Sequence, residues 1–317
     1  MSEKETNFFK AEEKLSTTES IVQFLWNRRT REFCGRTGSS WLKILIFYII
    51  FYLCLAAFWA LMLLIFYQTI DQRVPKWQLG DSRIGSNPGL GFRPRPREEN
   101  VESTLIWFKQ GQNEHNWKHW SDNLVKFLEP YEKATDASAD RGAHVEQCRD
   151  NDKTSNSEKF CFFDIKTIDN NCTKGQDFGY KRGDPCVLIK LNRIYNWQPE
   201  PYSRDDLASN AAIPDEVRNG YAKNSSKMVF ITCEGENAAD KENIGPIHYY
   251  PQNGIEFKYF PFTNQPGYLS PFVFIHFLKP TPGVLINIEC KAWAKNIKHD
   301  RMDREGSVHF ELLIDGF

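Results

Sequence analysis

A chain of 317 residues can bury a substantial core, and its 40 Lys+Arg against 41 Asp+Glu leave a net charge of −1. That balance removes the global positive field of a nucleic-acid binder, and no nucleic-acid partner is expected. Eight cysteines and 14% aromatic residues, the latter concentrated in one apolar run and in the C-terminal half, speak against an ordinary soluble cytosolic enzyme.

Residues 1–43 are polar and charged, with a short aromatic-basic patch from Phe24 to Trp41, and read as a cytoplasmic tail too short for a core of its own. From Ile44 to Tyr67 no residue is charged, and a helix of that length, about 36 Å, crosses a bilayer with some tilt. A secretory signal has an apolar run of only about 7 to 15 residues before a small-residue cleavage site, and Gln68-Thr69-Ile70-Asp71 offers none. Arg28, Arg29, Arg31, Arg36 and Lys43 precede the run, against Arg73, Lys76 and Arg83 after it, which predicts an N-in, C-out, type II orientation.

Within the run Tyr48 and Tyr52 share a helix face, and Ala56 and Ala60 form a small-xxx-small pair. The face is either a lipid-facing anchor with an aromatic belt or a seam packed on another protein's helices. Residues 68–100, with Pro75, Gly80, Gly85, Pro88, Gly89, Gly91, Pro94 and Pro96, read as an extended stalk, leaving 101–317 as the folded ectodomain.

One helix is predicted over Ser121–Tyr131, where Trp120, Leu124, Phe127, Leu128 and Tyr131 recur at helical spacing. Further on the period becomes two. Val229, Ile231 and Cys233, then Val284, Ile286, Ile288 and Cys290, then Val308, Phe310, Leu312 and Ile314 alternate with polar residues. Such strands between Gly/Pro/Asn turns predict an antiparallel β-sandwich. Cys148, Cys161, Cys172, Cys186, Cys233 and Cys290 all follow the apolar run, as an oxidising compartment allows, and sequential pairing is one of many open to them. Asn171-Cys172-Thr173 and Asn224-Ser225-Ser226 are N-glycosylation sequons in the same part.

Catalysis finds no candidate. Asp150-Asn151-Asp152 has the form of a glycosyltransferase metal motif but lies in a polar run without the alternating strand-helix pattern of a nucleotide-sugar domain. His115 and His119 are spaced as zinc ligands could be, with no Glu after His115, and Ser270 lacks the glycines of a nucleophile elbow. No metal or cofactor is expected. The most unusual segment is His248-Tyr249-Tyr250-Pro251-Gln252-Asn253-Gly254, followed by Tyr259-Phe260-Pro261-Phe262: either a turn with inward tyrosines or an exposed aromatic surface that docks a partner.

Taken together, Trp26-Asn27 with Gly35-Arg36-Thr37 and Trp41, then Phe47-Tyr48 and Phe51-Tyr52, Phe127-Leu128-Glu129-Pro130-Tyr131, Pro185-Cys186 with Ile189-Lys190-Leu191-Asn192, and Tyr249-Tyr250-Pro251 with Gly254, resemble the beta subunit of the sodium/potassium-transporting ATPase. The resemblance runs through nearly the whole chain. It departs at Cys34, where an apolar residue is usual, and between Cys161 and Cys172, where the spacing is one residue longer than usual.

The resemblance implies an immunoglobulin-like sandwich beside a single membrane helix, no catalytic site, and disulfides Cys148–Cys161, Cys172–Cys186 and Cys233–Cys290. It implies a plasma-membrane heterodimer with a catalytic alpha subunit, touched through Tyr48, Tyr52, Ala56, Ala60, Tyr249, Tyr250, Pro251 and Gly254, with room for a further small regulatory subunit. The chain would then assist alpha-subunit folding and delivery and tune potassium affinity. The competing reading is a pump-independent adhesion or junction glycoprotein with the same fold.

Overall fold

The computed structural model describes residues 17–97, 99, 103–111, 114–136, 144–146, 148, 158–168, 170–223, 227–300 and 302–315. It divides into two compact units, residues 1–71 and 72–317.

The first unit holds helix α1 (Thr17–Leu25), three two-residue strands β1 (Trp26–Asn27), β2 (Glu32–Phe33) and β3 (Arg36–Thr37), and helix α2 (Gly38–Gln68). The Asn27 side-chain oxygen accepts from the main-chain N–H of Arg29 at 3.0 Å and of Thr30 at 3.4 Å, turning the chain between β1 and β2. Gly35 supplies the left-handed φ of +71° that the turn from β2 to β3 requires. Trp41 donates its indole N–H to the Phe33 carbonyl at 2.8 Å, tying the miniature sheet to the first turn of α2. Helix α2 is apolar on every side and buries none of its residues among the described part of the chain. Among the described residues it is the one helix long and apolar enough to cross a membrane.

The second unit is mainly β. Its elements are β4 (Leu90–Arg93), β5 (Leu105–Lys109), α3 (Glu114–Asp136), β6 (Val145–Glu146), β7 (Phe160–Cys161), β8 (Cys186–Leu191), α4 (Arg204–Ser209), α5 (Asp215–Lys223), β9 (Met228–Gly235), α6 (Ala238–Asn243), β10 (Ile247–Tyr250), β11 (Gly254–Glu256), β12 (Phe272–Phe277), β13 (Leu285–Trp293) and β14 (Ser307–Asp315). A four-stranded sheet runs β10-β12-β8-β4 and a five-stranded sheet β11-β9-β13-β14-β5. Ring contacts Phe92–Phe310 at 5.2 Å and Phe277–Phe310 at 6.2 Å join their inner faces, as in a sandwich. The alternation read for the C-terminal strands holds: Ile286, Ile288 and Cys290 on β13 and Phe310, Leu312 and Ile314 on β14 point into the core. The sheets are antiparallel but for β5, which pairs parallel to β14 at the edge, and the small pair β6–β7 is parallel too.

Two sequence expectations change. The helix predicted over Ser121–Tyr131 is the middle of the longer α3, because Trp117 extends its buried stripe one turn earlier. Pro130 does not end it: Pro130 and Lys126 are both exposed, so water can take the Lys126 carbonyl that the proline leaves unbonded. Within residues 68–100, expected as a stalk, β4 is part of the four-stranded sheet, with Leu90 and Phe92 buried. The glycines that read as breakers let the strand run close to Asn192, whose side chain lies 3.1 Å from where a Cβ on Gly89 would sit and 3.3 Å from one on Gly91.

Candidate functional site

Candidate partner surfaces lie on α2 and at the β10 edge of the sandwich. On α2, Tyr48 and Tyr52 stack with ring centroids 6.1 Å apart and Phe47 and Phe51 stack at 6.2 Å, the i, i+4 spacing placing each pair on one face. Both tyrosines are exposed, and so are Ala56 and Ala60 one and two turns further along. The helix thus offers a ladder of two phenols followed by two small residues where another helix can approach closely.

At the sandwich, the alternation of β10 separates its tyrosines. Tyr249 pairs with Ile275 of β12 and turns inward, where its hydroxyl accepts the Cys233 main-chain N–H of β9 at 3.0 Å. It therefore links one sheet to the other, and burial pushes its phenol up to about 12. Tyr250 pairs with Phe274 and lies on the outer face, its ring 6.1 Å from that of His276 and its hydroxyl accepting from the Asn171 side-chain amide at 3.2 Å. Pro251 follows, exposed, after a cis peptide bond. Gly254 opens β11 with no room for a side chain: a Cβ there would lie 2.6 Å from the Val229 carbonyl oxygen of β9. Of the four aromatic-segment residues, then, Pro251 is exposed and Tyr250 half-buried on the outer face, while Tyr249 and Gly254 hold the sandwich together.

The bridges join Cys148 to Cys161, Cys172 to Cys186 and Cys233 to Cys290. Cys233 and Cys290 are direct partners on neighbouring strands β9 and β13, with Cα atoms 4.0 Å apart. Cys172–Cys186 fixes the turn carrying Asn171 to the start of β8, and so holds that sequon beside Tyr250. Asn224 and the Asp150-Asn151-Asp152 run lie outside the described residues, as does the side chain of His115. His119 stands against Trp120, with its Nε2 lacking a partner among the described residues. The sulfurs of Cys172 and Cys186 lie near His276, but they are bonded to each other and offer no thiolate to a metal.

The sequence reading missed the support behind Tyr250. Buried His276 places its Nε2 3.4 Å from the Asp184 carboxylate, which also accepts from Arg182 at 3.0 Å. Burial alone would push the Asp184 carboxyl up; the hydrogen bonds from His276 and Arg182 outweigh it and hold it below its ordinary value. Asn171 and Tyr250 are 79 positions apart and Asp184 and His276 are 92 apart, so no local spacing could have signalled either pair.

A family model described as the sodium/potassium ATPase beta chain matches residues 11–310. The chain is 46% identical over 301 residues to the sodium/potassium-transporting ATPase subunit beta-2 of Drosophila melanogaster, covering 93% of this chain and 92% of that protein. It is 35% identical over 302 residues to subunit beta-1 of the same species, covering 94% and 93%. It is 33% identical over 310 residues to subunit beta-2 of Homo sapiens, covering 94% of each. A single apolar helix ahead of a disulfide-bridged sandwich, matched along almost its whole length, places the chain in the sodium/potassium ATPase beta chain family.

Proposed function

We propose that the chain is the non-catalytic beta subunit of a sodium/potassium-transporting ATPase, a type II plasma-membrane glycoprotein that supports folding, delivery and stability of a catalytic alpha subunit and tunes its potassium affinity. Residues 1–43 are its cytoplasmic segment, 44–67 its span and 68–317 its exoplasmic part, with glycans at Asn171 and Asn224. The observation that carries this reading is α2, whose stacked Tyr48 and Tyr52 and small Ala56 and Ala60 are all exposed among the described residues. Phenol hydroxyls in a bilayer favour a protein partner over lipid, and small residues let its backbone come close.

Tyr250 and Pro251 extend the docking surface to the ectodomain. Tyr249 and Gly254 belong to it indirectly, as the residues that hold β10 and β11 in place. A partner that binds the folded alpha subunit and not its unfolded chain stabilises it by mass action, and one that fits one transport state better shifts the pump's equilibrium.

The test is a mild-detergent pull-down of the tagged chain from its native membrane, with the co-purifying proteins identified and potassium-dependent, ouabain-sensitive ATP hydrolysis measured in the eluate. A stoichiometric pump alpha subunit with that activity is the expected result. Full recovery of the chain without it overturns the reading and favours a pump-independent surface protein.

A further inference from the structure

At the edge opposite the tyrosines, the four-stranded sheet carries a group of cations that make no ion pair among the described residues, with Glu99 the nearest described carboxylate along the chain. Tyr250, Phe274, Leu188 and Arg93 form one row across β10, β12, β8 and β4, so Tyr250 and Arg93 lie on the same face at opposite edges, about 14 Å apart at strand spacing. Arg93 and Lys190 both reach the ring of Phe127 on α3, each charge 5.5 Å from its centroid. Arg95 lies 4.8 Å over Phe92, and Arg193 lies 5.2 Å from both Phe262 and Tyr268.

These rings position the cations, but a ring cancels no net charge. None of the four is ion-paired among the described residues, and Glu129, the carboxylate two positions beyond Phe127, is taken by Lys133 at 2.6 Å. Burial lowers the Lys190 ammonium, and Arg93, Arg193 and Arg95 lower it further, so the four feel one another's field.

A second observation points the same way. Arg193 donates to Ser270 Oγ at 2.7 Å beside a cleft of about 10 Å³, lined also by buried Trp197, whose indole N–H has no partner among the described residues. Such a volume holds about one oxygen atom, and within a mostly apolar lining the Arg193 guanidinium, the Asn192 amide and the Trp197 indole are donors beside it.

The sequence here is Arg93-Pro94-Arg95-Pro96-Arg97. Pro94 and Pro96 have no N–H, so a peptide that tried to add as a strand beyond β4 would find no main-chain donors at those positions. They also limit the backbone that carries the arginines, which then lose less freedom on binding. Past the end of β4 recognition therefore falls to side-chain charge, and guanidinium groups grip oxyanions in bidentate fashion. We propose that the β4 edge binds a sulfated, unbranched sugar chain outside the cell, with its sulfates held by Arg93, Arg95, Lys190 and Arg193. The proposal rests on the exoplasmic placement of the sandwich given above.

The test uses the full chain in lipid nanodiscs on immobilised heparin at neutral pH, eluted with a salt gradient. The wild-type chain is expected to be retained. Exposed Arg95→Gln should elute earlier, with the slope of log affinity on log salt reduced by roughly one, and Arg95→Gln/Arg193→Gln by roughly two. Arg193→Lys keeps the charge and should keep the wild-type salt slope, with any earlier elution reporting the lost bidentate fork, which separates loss of charge from loss of fold. Arg28→Gln/Arg29→Gln in the N-terminal segment measures what those arginines add, and must leave the slope changes of the β4-edge variants intact. Elution of both β4-edge variants with wild type overturns the proposal. Displacement by soluble polyglutamate as readily as by soluble heparin overturns it in favour of an acidic polypeptide. Removal of glycan from Asn171 by an N-glycosidase checks the exoplasmic placement separately, since heparin binding in nanodiscs does not depend on orientation.

Discussion

At the scale of single residues, Tyr249 and Tyr250 show how strand alternation assigns two identical neighbours to different work. Tyr249→Phe leaves the Cys233 N–H unpaired in the interior, which costs about 1–3 kcal/mol, read as a lower melting temperature of the full chain in detergent. Its pH dependence has a definite sign. The folded phenol titrates at about 12 against an ordinary 10.0, so the stability it contributes is fully present below 10 and is lost as pH rises towards 12. Absorbance titration of tyrosinate should show one late-ionising group fewer in Tyr249→Phe. Tyr250→Ala has the opposite profile: melting close to wild type, with less alpha subunit recovered in the pull-down. If Tyr250→Ala melts early while alpha recovery per folded chain is unchanged, Tyr250 is a packing residue and the docking surface loses its centre. Neither fate was legible from the His248–Gly254 segment alone, because a one-residue change of register exchanges the two side chains.

At the scale of elements, period was the reliable signal and punctuation the misleading one. The uncharged run 44–67 lies inside α2, and the alternation of β13 and β14 maps directly onto buried and half-exposed residues. The glycines ahead of and within β4 looked like breaks but occupy positions where the missing side chain admits Asn192, and Pro130, expected to disturb only a last turn, sits inside the longer α3. Strand β5 joins the sheet parallel to β14, some 200 residues away, a pairing that no short-range pattern announces. On α2 the small-residue positions carry a prediction. Ala56→Leu/Ala60→Leu keeps the helix apolar and membrane-compatible, but puts bulk where a partner's backbone must come close. Alpha-subunit recovery should fall while the amount of chain in the membrane does not; equal recovery would return this face to lipid.

At the scale of the whole molecule, the fold class was readable from the sequence, but the disulfide pairing was readable only through the family resemblance. Six cysteines at unremarkable spacings do not select a pairing, whereas in the structure the register of β9 and β13 sets Cys233 directly opposite Cys290. The division into two compact units leads to a last prediction. Tyr48 and Tyr52 belong to one unit and Tyr250 to the other. If each unit docks on the alpha subunit by its own contacts, Tyr48→Ala/Tyr52→Ala and Tyr250→Ala should weaken association independently. Their free-energy effects should then add to within about 0.5 kcal/mol in the combined variant. The quantity to measure is the alpha-subunit affinity of the four chains, each reconstituted in the same detergent. A combined loss much smaller than the sum would mean that either docking site alone already depends on the other, and that the partner reads helix and sandwich as one surface.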